Sequence, residues 1–210
     1  MNVVVLTKYV PNPEGVPEMG DDFLLKREGV EGALDPGDEF GVEAGLQLAE
    51  ASGGEVTVVS MGPEPAMGGV RKALSMGAAK GVLVTDPKLR GSDVLVTARV
   101  LAAAVKRLEP DIVVAGVEST DGYTGTLPMA LAEFLGWPNV TFARHLEAGD
   151  GSVKVERQTE TGYDVVESPL PAVVTVTAGA NAPRYPTLKG IMASKQKPVE
   201  QLAAGDLGLS

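Results

Sequence analysis

The sequence predicts an α/β protein: a doubly wound, mostly parallel sheet, with antiparallel strands at one edge and an extended C-terminal segment. Three observations carry this. Over the first 140 residues, short Val-rich runs alternate with segments of helical period, the order that joins parallel strands through helical crossovers. The strand-like runs are continuously apolar, as strands covered on both faces are. From about residue 140 the texture changes to apolar–polar alternation around Gly-Asp-Gly and Thr-Gly turns, the pattern of hairpins with one solvated face.

Each element follows from its own residues. NVVVLT (2–7) is a β-branched run. DEFGVEAGLQLAEA (38–51) is helical in pattern and stops at Ser52-Gly53-Gly54, a standard breaker. EVTVVSMG (55–62) is a strand, and EPAMGGVRKALSMGA (64–78) places Met67, Val70, Leu74 and Gly77 on one helical face. GVLVT (81–85) is the next strand. GSDVLVTARVLAAAVKRLEP (91–110) is the clearest helix, with Val94, Ala98, Leu101, Val105 and Leu108 spaced by 4, 3, 4 and 3. Ser92 is its expected cap, and Pro110 closes it. DIVVAG (111–116) is a strand and TLPMALAEFLG (126–136) a short helix ended by Gly136. VTFARHLEAGDGSVKVERQTETGYDVVES (140–168) reads as antiparallel strands at a sheet edge, and AVVTVT (172–177) as one more buried strand. Residues 180–210 show no clear period. The chain thus divides into an α/β domain, 1–179, and a tail, 180–210.

Composition narrows the function classes. The 210 residues carry a formal charge of −10, which argues against a nucleic-acid polymer as partner, since phosphate backbones are bound by clustered Lys and Arg. There is no cysteine, so disulfides, thiolate metal sites and cysteine nucleophiles are excluded. The first residues enter an apolar run too short for a signal peptide, and no run approaches the roughly 20 residues of a membrane span. A cytoplasmic protein is the expectation.

Ligands of open α/β sheets sit outside the carboxyl ends of the strands, so the loops after residues 7, 60, 85 and 115 are the ones to weigh. TKYVPNPEG, the first, lacks the G-x-G spacing of a dinucleotide fingerprint. The loop GVESTDGYTGTLP (116–128) is different: Gly116, Gly122 and Gly125 alternate with Ser119, Thr120, Thr124 and Thr126 and run into a helix N-terminus. Small residues let a ligand approach the backbone, and free amides with a helix dipole favour a phosphate. A plain turn-and-cap loop has the same composition, so both readings stand. Asp121 would repel a phosphate, which leaves it a turn-forming or ribose-contacting role. Met61 and Gly62 offer a weaker contact for a base or sugar. The lone His145 reads as a surface residue, and no histidine–carboxylate cluster has metal-ligand spacing. The set fits a carrier or subunit better than a free-standing enzyme.

One stretch stands out on an acidic protein: ANAPRYPTLKGIMASKQKP (180–198), with isolated apolar side chains and the cations Arg184, Lys189, Lys195 and Lys197. Read from its residues alone, Leu188 and Ile191 fold back on the core and the lysines are solvated.

Five ordered blocks resemble one family, the beta subunit of electron transfer flavoprotein. Lys8-Tyr9-Val10-Pro11-Asn12-Pro13 is similar to the family's K-R-V-P-D-P. DPGDEFGVEAGLQL, VTVVSMGPEPAMGGVRKALSMGA, GVESTDGYTGTLPMALAEFLGWPNVTFA and LPAVVTVTAGANAPRYPTLKGIMASKQKP follow in the family's order, as far as about residue 200. The resemblance implies a Rossmann-like, adenine-nucleotide-binding fold in a heterodimer whose alpha subunit carries the redox FAD, the beta subunit holding a structural AMP. It places the nucleotide at Leu6, at Asp35, Pro36, Gly37 and Asp38, at Met61, and along Gly116, Val117, Glu118, Ser119, Thr120, Asp121, Gly122, Tyr123, Thr124, Gly125, Thr126 and Leu127. It makes Tyr185 to Ala193 a recognition loop for flavin dehydrogenases such as those of fatty acid oxidation, with Leu188 as apolar anchor. Arg184, Tyr185, Ile191, Met192 and Lys195 join Leu188 in that surface, the cations steering an acidic partner.

Several residues depart from the family's pattern. Tyr123 replaces a small or acidic residue, Pro128 stands near a usual glycine, Thr161-Gly162-Tyr163 replaces D-G-G, and Lys189 replaces a frequent proline. Relatives that split electron pairs hold a second FAD in place of AMP, and the altered loop leaves that variant open. Many relatives also continue by several tens of residues into an arm around the alpha subunit, where this sequence has a short C-terminal arm. A homodimeric adenine-nucleotide sensor or hydrolase is the alternative from another class. It is disfavoured because no Lys-bearing P-loop accompanies the glycines.

Overall fold

The computed structural model describes residues 1–149 and 151–209. In chain order the elements are β1 (Asn2–Thr7), β2 (Tyr9–Pro11), β3 (Gly32–Leu34), α1 (Pro36–Ser52), β4 (Glu55–Met61), α2 (Met67–Met76), β5 (Lys80–Val84) and α3 (Val94–Lys106). Then come β6 (Ile112–Gly116), α4 (Leu127–Leu135), β7 (Asn139–Gly149), β8 (Ser152–Gln158), β9 (Tyr163–Pro169), β10 (Ala172–Val176), α5 (Leu188–Ser194) and β11 (Val199–Leu202). One nine-stranded sheet has the order β11-β5-β4-β1-β6-β10-β7-β8-β9. From β11 to β7 neighbouring strands run parallel, and β8 and β9 complete the far edge antiparallel. The α/β class and the doubly wound sheet expected from the sequence are what the chain adopts.

The continuous Val runs are explained by burial on both faces. Alternate residues of β1 serve two cores: Val3 and Val5 pack with Val42, Leu46, Val70 and Leu74 of α1 and α2. Val4 and Leu6 pack with Ala98, Leu101, Val105 and Leu131 of α3 and α4. The helix ends carry the expected chemistry, with left-handed Gly53 closing α1 and Gly136 closing α4.

Four details differ from expectation. The cap of α3 is Asp93, whose carboxylate accepts from the Val96 amide at 2.8 Å, while the Ser92 hydroxyl turns back to the Leu89 carbonyl. The region 140–168 is not wholly antiparallel. β7 starts parallel to β10, pairing Val140 with Val174, and its register slips past Phe142 (φ 61°). Beyond that bulge it turns to pair antiparallel with β8. Residues 9–34 form a separate two-stranded ribbon, β2–β3, bridged by a long flap. The tail, expected to be extended and without clear period, carries regular elements. It makes α5 and then β11, which adds a parallel strand on β5 at the edge opposite the hairpins.

Candidate functional site

β1 feeds α1 and β4 toward one side of the sheet, and β5 feeds α3 back to β6 on the other side of β1. The crevice outside the carboxyl ends of β1 and β6 is therefore the topological switch point, where ligands of such sheets bind. The sequence places two acids there. Asp35 is the N-cap of α1 and fully buried. Its Oδ1 accepts from the Gly37 amide at 2.8 Å, and its Oδ2 accepts from the Thr120 amide and hydroxyl at 2.7 and 2.8 Å. One carboxyl group thus caps a helix and fastens the glycine-rich loop. Asp38, one turn into α1, accepts from the Lys8 amide at 2.7 Å and from the Gly116 amide. Burial pushes the Asp38 carboxyl up to about 8, and Asp35 beside it adds to the shift.

The loop's own acid is turned inward. Asp121 receives the Lys8 ammonium at 2.7 Å and the Arg27 guanidinium from the flap, and its side chain is 3% exposed. Burial alone would raise this carboxyl. The hydrogen bonds from Lys8 and Arg27 outweigh it and hold the group below the ordinary range. Lys8 also donates to the Ser119 hydroxyl at 3.2 Å. With both cations on it, Asp121 acts as a staple between β1, flap and loop rather than as a free anion facing the crevice. Tyr123 accepts a left-handed backbone (φ 48°) through the bond from its amide to the Ser119 carbonyl, and its ring lies on the surface. The loop ends at α4, whose cap residue Thr126 supplies no side-chain acceptor, with Pro128 in the first turn. An N-terminus of this kind keeps amides available for an anion.

The predicted positions fall into two groups. Asp35, Gly37, Asp38, Gly116, Ser119, Thr120 and Asp121 form one bonded network, with Pro36 in the first turn of α1 and Glu118 beside Gly37. Gly122, Tyr123, Thr124 and Thr126 lie on the exposed rim, with Val117, Gly125 and Leu127 half-buried. Leu6 and Met61 stand at the ends of β1 and β4 and pack into the α3–α4 core. Lys8 and Arg27 were missed as site residues. Lys8 directly follows the first strand, which is a readable position, whereas Arg27 reaches Asp121 across 94 residues. Gly116 is required by the close approach of α1. A Cβ there would lie 2.7 Å from Asp38 Oδ1 and 3.4 Å from the Gly37 backbone. Gly116→Ala is therefore expected to lose about 1–3 kcal/mol, read as a drop in thermal midpoint.

The C-terminal segment presents a second surface. Tyr185, Leu188, Ile191 and Met192 are all exposed, Tyr185 by 92% and Leu188 by 76%. The fold-back of Leu188 and Ile191 that the residues alone suggest does not occur. Two of its cations are spent inside the chain. Arg184 bridges Glu43 and Glu50 of α1, and the Lys197 ammonium donates to the Leu74 and Ala78 carbonyls at the end of α2. Lys189 and Lys195 remain exposed. His145 sits on β7 against Glu147, both solvated, and no cluster of metal-ligating side chains occurs among the described residues. No helix among them is long and apolar enough to cross a membrane.

Comparison with known proteins places the chain in one family. The family model described as the electron transfer flavoprotein domain matches residues 22–207. The electron transfer flavoprotein subunit beta of Mycobacterium leprae is 43% identical over 215 residues, covering 99% of this chain and 81% of its own length. The subunits beta of Thermoanaerobacterium thermosaccharolyticum and Clostridium acetobutylicum are 39% and 38% identical, covering 99% of this chain and 80% of their own lengths.

Proposed function

The chain belongs to the electron transfer flavoprotein family, among its beta subunits, and from that premise we propose that it is the carrier subunit of a heterodimer. It binds a structural AMP at the switch point and docks flavin dehydrogenases, so that electrons reach the FAD held mainly by an alpha subunit. It makes and breaks no bonds of its own, and the flavin supplies the redox chemistry.

The observation that carries the nucleotide half is the double acid anchor. Asp35 and Asp38 hold Thr120, Lys8 and the Gly116 amide and so fix a glycine-rich loop that leads into a helix N-terminus without a side-chain cap. The loop's carboxylate is already neutralised by Lys8 and Arg27, which removes the repulsion an adenylate phosphate would otherwise meet. The test is extraction. The protein purified with its alpha subunit is denatured, and the released small molecules are weighed. One equivalent of AMP beside one FAD is expected. A second FAD identifies the electron-splitting variant, and absence of any adenylate overturns the reading.

The docking half rests on the exposed Leu188. Such an anchor in a transient interface contributes on the order of 1–2 kcal/mol. Leu188→Ala should raise the KM for this protein about tenfold in an assay with an acyl-CoA or other flavin dehydrogenase, with flavin and adenylate content unchanged. Equal transfer rates at limiting carrier would remove the docking role.

A further inference from the structure

Helix α5 faces the opposite way from a helix that serves its own core. Its inward residues are small. Gly190 lies so close to α2 that a Cβ would fall 2.5 Å from the Ser75 carbonyl oxygen, and Ser194 is buried. Its large apolar side chains, Leu188, Ile191 and Met192, point to solvent. A helix of seven residues does not form alone in water, and this one gains little from apolar burial. It is held instead by polar clamps. Arg71 donates to the Ser194 and Lys197 carbonyls at its end, at 2.5 and 2.8 Å. Thr187 caps its start by accepting from the Gly190 amide at 3.0 Å.

Ahead of that cap stands Arg184. Its Nε and Nη2 donate to the two carboxylate oxygens of Glu43 at 2.8 and 3.1 Å, its Nη1 and Nη2 donate to Glu50 at 2.5 and 3.2 Å, and its backbone amide donates to Glu43 at 3.2 Å. The Glu43 side chain is 6% exposed and Arg184 34%, so the Glu43 arm of the fork is partly desolvated, while Glu50, 59% exposed, adds a surface arm. Burial would raise the Glu43 carboxyl, yet the bonds from Arg184 hold it below its ordinary value.

We propose that Arg184 is a positioning residue for the docking helix: by bridging Glu43 and Glu50 of α1 it fixes the stretch Tyr185–Thr187, and so sets the direction in which Leu188, Ile191 and Met192 are offered to a partner. The proposal rests on the docking reading of the preceding section and reassigns Arg184 within it. The guanidinium is an internal clamp, and the partner meets the apolar face. A surface ordered before contact loses less entropy on binding, which lowers KM without touching the electron-transfer step.

The experiment uses the assembled two-subunit protein with a flavin dehydrogenase as donor. Arg184→Gln should raise the KM for the carrier about tenfold, leave turnover at saturating carrier unchanged, and speed amide hydrogen exchange across 185–194. Glu50→Gln decides the sign. If Arg184 acts as a clamp, losing Glu50 also raises KM. If Arg184 instead meets an acidic partner directly, losing a neighbouring negative charge lowers KM. Arg184→Lys, which keeps the charge without the fork, should fall between wild type and Arg184→Gln, and it replaces the latter if that variant fails to fold. A raised KM for Leu188→Ala with none for the Arg184 variants overturns the positioning role and leaves docking intact. No change in either removes the docking reading itself. A raised KM with unaltered exchange at 185–194 also overturns the proposal.

Discussion

Asp35→Ala is expected to lower the thermal midpoint by roughly 10 °C and, on the proposed nucleotide role, to abolish adenylate binding. The buried carboxyl group accepts from three donors on two elements, the Gly37 amide, the Thr120 amide and the Thr120 hydroxyl. Alanine removes every acceptor at once. The lost helix cap costs about 1 kcal/mol, and each donor left without a partner in the interior costs about 1–3 kcal/mol. Partial relaxation brings the total to roughly 3–5 kcal/mol. For a chain of this size each kcal/mol moves the midpoint by about 2–4 °C. Adenylate content should fall further than stability does, because the loop is fastened to α1 through Thr120. Thermal denaturation followed alongside mass analysis of the released nucleotide checks both parts. A midpoint within 3 °C of wild type, with AMP retained, would show that the loop is held by other contacts.

The second large effect is on the pH dependence of stability. Asp38 is protonated in the folded state up to about pH 8, against 3.8 for an ordinary aspartate. The folded state therefore binds a proton that the unfolded chain has already released. The stability that the group contributes is complete below pH 4 and is lost progressively as pH rises to 8. One proton linked to folding corresponds to a slope of about 1.4 kcal/mol per pH unit inside that window. Asp38→Asn abolishes the linkage. The variant starts about 1–2 kcal/mol less stable in acid, since the amide offers one acceptor where two amides, those of Lys8 and Gly116, are to be satisfied. Its curve then runs flat between pH 5 and 8 and crosses that of the wild type. The groups with the opposite sign act elsewhere. Asp121, Glu43 and Glu50 are held below their ordinary values by Lys8, Arg27 and Arg184, so their stabilisation is lost only as pH falls below about 4.5. Parallel slopes for the two proteins from pH 5 to 8 would refute the assignment.

How much of this was legible depended on the range of the interaction. The buried strands and the helices α1 to α4 announce themselves locally, because double-sided burial writes Val runs and a single apolar face writes a 3.6-residue period. The switch-point loop was readable for the same reason, since its glycines and hydroxyls are contiguous. The staple on Asp121 was not. Lys8 lies 113 residues away and Arg27 lies 94 away, and neither spacing leaves a local mark. Helix α5 was hidden by its inverted face, since a helical pattern is recognised by large residues inward and small ones outward. β11 was hidden by its length of four residues and its charged, edge-strand composition. Ser92 and Asp93 are both competent caps one position apart, and only geometry chooses between them.

The inverted face of α5 also bears on how such a chain can change over generations. Its contacts with the body of the protein run largely through backbone carbonyls, a glycine and a serine, while Leu188, Lys189, Ile191 and Met192 are exposed. On the proposed docking role, those four side chains can therefore change to suit another electron donor at little thermodynamic penalty to the domain beneath. Specificity and foldability are inherited as separable traits.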